Sequence, residues 1–145
     1  GRCLMKRVLF IVGVALLSVG FANRQAQHPY RVVFDLTSRD SLDQKAVVRW
    51  IREISTASPT VQIEVVMYGK GFELVMPTKS TVIKDVETAL KNPNVSFKVC
   101  EIAMKNNQLD KSMFVAGTQT VPDGIRELTE KQQDNWGYIK ASVSH

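Results

Sequence analysis

A chain of 145 residues with 44% hydrophobic residues can bury one core and is too short for two ordinary domains beside a leader. Its formal charge of +5 arises mainly at the start: Arg2, Lys6 and Arg7 precede the first apolar run, and from Asn23 onward 16 Lys plus Arg face 14 Asp plus Glu. These charges are scattered, with no basic stripe and no basic patch interleaved with aromatics, so the composition argues against nucleic-acid binding.

Residues 8–22, VLFIVGVALLSVGFA, are uncharged and follow the pair Lys6-Arg7, the pattern of a secretory signal with its basic and apolar regions. Gly20 and Ala22 put small residues at the positions a signal peptidase reads. As a helix the run reaches about 22 Å, short of a hydrocarbon core of roughly 30 Å. The expectation is a cleavable leader over residues 1–22, with the natural start at Met5 and an uncleaved membrane anchor as the alternative. The protein is then periplasmic or secreted, and it meets a membrane only through this segment if the leader is retained. A linker over 23–29, one domain over 30–141 and a tail over 142–145 complete the organisation. Removal of the leader takes Cys3 with it, which leaves Cys100 alone in an oxidising compartment, with no intramolecular disulfide.

Within the domain, Tyr30 to Leu36 (YRVVFDL) is rich in β-branched and aromatic residues and reads as a buried strand. Thr37 to Asp40 is a loop with capping residues, and a helix follows from Ser41, with Leu42, Ala46, Val47, Trp50, Ile51 and Ile54 at helical spacing. After Pro59, Val61 to Tyr68 (VQIEVVMY) gives a second strand that ends in the turn Gly69-Lys70-Gly71. A helix over Ser80 to Lys91 presents Val82, Ile83, Val86, Ala89 and Leu90 as one stripe, and Asn92-Pro93-Asn94 ends it. Val95 to Val99 is a third strand, and Cys100 to Lys105 has helical composition. A short apolar piece, Leu109 to Val115, precedes a short strand over Thr118 to Val121. Pro122 suits the first turn of a last helix with Ile125 and Leu128 on its inner face. Trp136 to Ile139 closes the domain as a final strand, its aromatic cluster suited either to the sheet edge or to a subunit contact. Met67, Met76, Met104 and Met113 read as core filler. Strands alternating with helices imply a mainly parallel sheet of about five strands with helices on both faces, a three-layer flavodoxin-like α/β domain.

In such sheets the functional crevice lies at the carboxyl ends of the strands. Asp35 with its following loop, the turn after Tyr68, and Cys100 all fall there. A helix starting at Cys100 would favour its thiolate through unpaired N–H groups, while Glu101 next door opposes it; a small buried structural thiol is the alternative. The two histidines, His28 and His145, lie in the linker and at the terminus, so neither a nucleophile–histidine pair nor a transition-metal site is expected, and no cofactor is implied. Gly69-Lys70-Gly71 lacks the spacing of a phosphate loop and reads as a plain turn. Asp35 and Glu101 read as charges at loop edges.

The segment Val95-Ser96-Phe97-Lys98-Val99-Cys100-Glu101-Ile102-Ala103-Met104-Lys105-Asn106 resembles the strand, cysteine and short helix of the DsrE/DsrF-like, sulfur-relay superfamily with its TusD-type subunits. The turn Val66 to Gly71 and the tail from Gly124-Ile125-Arg126-Glu127-Leu128 through Gln132 and Gly137-Tyr138-Ile139-Lys140 are similar to a poorly characterised branch of it, and the resemblance spans Tyr30 to Ala141. It implies a flavodoxin-like fold, homo-oligomers such as trimers or hexamers, and a cysteine that carries sulfur as a persulfide between donor and acceptor proteins, a role that falls on Cys100. Tyr68, Gly69 and Lys70 would then shape the pocket beside Glu101, with Lys70 as counter-charge. The competing expectation is a non-catalytic homo-oligomer that binds a small ligand or partner and keeps Cys100 as a structural residue.

Overall fold

The computed structural model describes residues 28–143. The expected leader over 1–22 lies outside the described residues, with most of the linker and the last two residues of the tail. Five strands form one all-parallel sheet: β1 (Arg31–Leu36), β2 (Gln62–Met67), β3 (Val95–Cys100), β4 (Gln119–Val121) and β5 (Gly137–Lys140), in the spatial order β4-β3-β2-β1-β5. The α-helices are α1 (Ser41–Ala57), α2 (Ile83–Leu90), α3 (Glu101–Asn106) and α4 (Gly124–Gln133), and 3₁₀ turns occupy Gly71–Val75 and Lys111–Met113. This is the expected three-layer flavodoxin-like α/β arrangement.

The period-two alternation of each strand sorts the two faces. Val32, Phe34, Leu36, Ile63, Val65, Met67, Val95, Phe97 and Val99 point to one face and join Val47, Val48, Ile51, Val86, Phe72 and Leu74 in the main core. Trp50 of α1 stacks on Phe34 with ring centroids 5.9 Å apart. Asp40 caps α1, its carboxylate accepting the Leu42 N–H at 2.8 Å.

Among the described residues, the opposite face is covered by α4 alone. Val33, Val66 and Leu128 form a small second cluster with Tyr68 and Trp136 packed against it. Beside it runs a compact ion network. Glu64, 2% exposed, lies 2.9 Å from Lys98 Nζ and 3.0 Å from Lys131 Nζ, and Glu127 of α4 completes it 3.2 Å from Lys98. Burial and the neighbouring Glu127 push the Glu64 carboxyl up; Glu127 itself is also penalised by burial but is held below its ordinary value by its hydrogen bonds to Glu64 and Lys98. Lys131 and Arg31 sit over the Trp136 ring, 4.4 and 5.6 Å from its centroid.

The connections explain this asymmetry. From β1 to β4 the chain steps across the sheet in one direction, and successive right-handed crossovers in one direction put their helices on one face. From β4 to β5 it reverses over three strands, which puts α4 on the other face.

Several expectations are corrected. Leu42 is 54% exposed and Ile125 63% exposed, so neither faces a core, and Met113 is exposed as well. Leu42 and Ile125 both occupy the first turn of a helix in which other residues take the buried side, Asp43 and Gln44 in α1 and Gly124 in α4. The second helix begins at Ile83 because Ser80 to Val82 form a turn, with Ser80 Oγ accepting the Val82 N–H. Pro122 lies ahead of α4, whose cap is Asp123.

Candidate functional site

At the carboxyl edge of the sheet, the chain leaving β3 turns to the main-core face, where Ala103 and Met104 of α3 pack. The chain leaving the neighbouring β4 turns to the opposite face as α4. Between two adjacent strands whose connections diverge in this way a crevice opens. Here it is a cavity of about 190 Å³ lined by Tyr68, Gly69, Cys100, Ile102, Ala103, Asn106, Asn107, Asp123 and Ile125.

Cys100 ends β3 and caps α3, yet its side chain makes no capping bond to α3. Its sulfur instead accepts the backbone N–H of Gly124, the first residue of α4, at 3.2 Å. The N–H that meets the sulfur therefore comes from α4, 24 residues later in the chain, and not from the helix that follows Cys100. The alternation of β3 is the cause, since Cys100 follows Lys98 on the α4 face of the strand, although it also packs at the edge of the main core.

Gly124 makes the approach possible. A Cβ there would lie 3.2 Å from Cys100 Cβ, 3.3 Å from Val66 Cγ1 and 3.5 Å from Tyr68 Cδ1. The Asp123 carboxylate closes the start of α4 by accepting the Ile125 and Arg126 N–H groups, which leaves the Gly124 N–H to the sulfur. Cys100 is 5% exposed, so the cavity reaches its sulfur through a narrow aperture.

Tyr68, Gly69 and Cys100 come together as expected. Lys70 and Glu101 do not line the cavity. The Lys70 ammonium binds Asn107 Oδ1 and lies 5.8 Å from the centre of the Phe72 ring, and Glu101 accepts the Thr120 hydroxyl at 2.9 Å. The glycine turn is the plain turn expected, pressed on the end of β1: Lys70 N–H donates to Thr37 O, Gly69 has φ +57°, and a Cβ on Gly71 would fall 2.0 Å from Leu36 O.

Asp35, expected at a loop edge, is a buried strand residue with 4% exposure. The Tyr138 hydroxyl donates to its Oδ2, while Oδ1 is buried without a hydrogen bond of ordinary geometry. Tyr68 lies on the same face. Burial, the Asp35 charge and hydrogen bond, and the negative charge of a Cys100 thiolate together push the Tyr68 phenol up to about 12. The hydrogen bond to Asp35, with burial and the carboxylate's charge, does the same for Tyr138, also to about 12. Sequence reasoning missed Asp123 and Gly124 as neighbours of the thiol, and Tyr138 as the partner of Asp35. Asp123-Gly124 carried a usable signal, a capping residue followed by the one residue type that lets a helix start touch another strand.

Among the described residues no group of three His, Cys, Asp or Glu could hold a metal, and no helix is long and apolar enough to cross a membrane. No family model matches the chain, and no curated protein does. Among solved structures, the chain is similar to MTH1491 of Methanobacterium thermoautotrophicum, described as a protein of unknown function, with a TM-score of 0.71 and 25% identity over 77% of this chain and 98% of that one.

Proposed function

We propose that this protein handles sulfur, taking a sulfane sulfur onto Cys100 and passing it to an acceptor thiol. The observation that carries the reading is the Gly124 N–H on Cys100 Sγ at the floor of a cavity between diverging connections. A backbone donor at a helix start lowers the cost of negative charge on sulfur, and the cavity gives one further sulfur atom room. The DsrE/DsrF-like resemblance around Cys100 supports the same role, and with it a trimeric or hexameric assembly, while the apolar run over residues 8–22 supports export.

In the loading step the Cys100 thiolate attacks the outer sulfur of a donor persulfide, forming Cys100–S–S⁻ and releasing the donor thiolate. In the second step an acceptor thiolate attacks the outer sulfur, and Cys100 leaves as thiolate. Each step makes one S–S bond and breaks one, so no oxidant is consumed. Thiosulfate serves as a laboratory donor, with sulfite as its leaving group. Intact-protein mass spectrometry after thiosulfate treatment should show one added sulfur that is lost in Cys100→Ala. No adduct, under conditions that load an established carrier, would sink the idea.

The burial of Cys100 favours a second reading, a binding protein whose thiol is structural. Under it, iodoacetamide modifies Cys100 only once the protein is denatured.

A further inference from the structure

We propose that the Tyr68 hydroxyl is the hydrogen-bond donor facing anionic sulfur on Cys100, and that Asp35, itself bonded to Tyr138, competes for its proton; the inference rests on the sulfur-carrier reading. Met67 pairs with Val99 in the sheet, so Tyr68 and Cys100 continue the two strands as neighbours on the α4 face. Both rest against Gly124, and both line the cavity. Asp35 lies opposite Val66 on that same face, two residues before Tyr68 in β2's register, and Tyr68 N–H is anchored to Leu36 O.

The carboxylate is only half satisfied. Tyr138 takes Oδ2, and Oδ1 is left buried without a well-formed bond. A buried acceptor without a donor is costly, so Asp35 draws the second phenol toward itself. The Tyr68 proton then has two calls on it, Asp35 Oδ1 and whatever anion stands on Cys100. A thiolate whose sulfur already accepts Gly124 N–H, or the outer sulfur of a persulfide projecting into the cavity, is such an anion. Asp35 and Tyr138 never touch sulfur in this arrangement and act through Tyr68.

The charged and titratable groups at this end of the sheet are Asp35 of β1, Tyr68 after β2, Lys70 in the glycine turn, Glu101 of α3, Asp123 before α4 and Tyr138 of β5. Lys70 is engaged by Asn107, Glu101 by Thr120, and Asp123 by the N–H groups of α4. That leaves the Asp35–Tyr68–Tyr138 set as the adjustable one.

The test is the pH profile of Cys100 alkylation by iodoacetamide in the folded protein, compared across wild type, Tyr68→Phe, Asp35→Asn and Tyr138→Phe. Tyr68→Phe should raise the midpoint by about half to one pH unit, a roughly three- to tenfold loss of thiolate below it, because a donor is removed. Tyr138→Phe should raise it less, by leaving Tyr68 as the sole phenol for Asp35. Asp35→Asn should lower it, because a nearby negative charge is lost and the Tyr68 proton is released. A structural role would move all three in one direction through increased access, at every pH alike. That pattern, three profiles that coincide with wild type, or a native thiol unreactive at every pH short of unfolding would overturn the inference. If Tyr68→Phe does not fold, the opposite signs expected for Asp35→Asn and Tyr138→Phe decide. Thiosulfate loading is scored separately: a wild type that never loads overturns the carrier reading, and the alkylation profiles still decide what Tyr68 does to the thiol.

Discussion

The turn that sets Tyr68 in place gives a sharp stability test. A methyl group on Gly71 would lie 2.0 Å from the Leu36 carbonyl oxygen and 2.7 Å from its carbon. Carbon and oxygen approach no closer than about 3.3 Å even in favourable contacts, so Gly71→Ala must move backbone by about 1 Å. The two bonds that tie this turn to β1 are Tyr68 N–H to Leu36 O at 3.2 Å and Lys70 N–H to Thr37 O at 3.0 Å. Losing both costs about 2 kcal/mol, and the overpacking adds about 1–3 kcal/mol. Gly71→Ala should therefore destabilise by about 3–5 kcal/mol, on the order of 10–20 °C in Tm for a domain of this size. Gly69→Ala, whose φ of +57° costs an L residue about 1–2 kcal/mol, should do less harm. Gly137→Ala, with its nearest contact an ordinary 3.4 Å, should be neutral or slightly stabilising. Urea unfolding of the three variants reads the order directly. A Gly71→Ala loss under about 1 kcal/mol, or one smaller than that of Gly69→Ala, would refute the steric argument.

Gly124→Ala should leave global stability within about 1 kcal/mol, because better helix propensity offsets the contacts at 3.2 and 3.3 Å; the displaced N–H should still raise the pH needed to alkylate Cys100, and an unchanged alkylation profile would deny Gly124 a role at the sulfur. Cys100→Ser should be at least as stable as Cys100→Ala in thermal melts, because a hydroxyl still accepts the Gly124 N–H whereas alanine leaves it without an acceptor; a more stable alanine variant would mean that the N–H···S contact contributes nothing. Tyr68 and Tyr138 ionise at about 12 in the folded state against about 10 unfolded, so the stability they contribute is whole below pH 10 and is lost as pH rises through 12. Absorbance titration should show Tyr68 and Tyr138 ionising late, with Asp35→Asn drawing both back toward 10.

Much of the fold was legible because its signals are local. Alternating β-branched runs, the Asp40 cap and the Asn92-Pro93-Asn94 break each act within a few residues, and the structure follows them to within three residues. What misled was the assumption that every apolar residue on a helical stripe meets the core. Leu42 and Ile125 keep the stripe's spacing, but Asp43, Gln44 and Gly124 take the buried side of those first turns. Asp35 was misread for the converse reason. A charge near the end of a strand suggests solvent, and nothing local tells that a tyrosine 103 residues away will cover it. The candidate site was legible in part: strand ends located Tyr68 and Cys100, while the donor to the sulfur depends on where α4 lands.

That landing follows from the strand order. Three successive crossovers place α1, α2 and α3 on one face and leave the other bare, so the single reversed connection must cover it alone. A helix of 10 residues, Gly124 to Gln133, spans about 15 Å, enough to shield Val33, Val66 and Glu64 but not the whole face. Its start is therefore constrained at both ends of the argument. Leu128 has to reach the small apolar cluster, and Glu127 and Lys131 have to reach Glu64 and Lys98, which fixes the first turn beside Cys100. At that place a Cβ would press on Cys100 and Val66 at 3.2 and 3.3 Å, and the backbone N–H points at the sulfur. The ion network beneath α4 and the environment of the thiol at its tip are in this sense one structural device. A substitution in the network that shifts α4, such as Lys131→Ala, should be felt at Cys100 as a longer N–H···S contact, although Lys131 lies two helical turns from the sulfur.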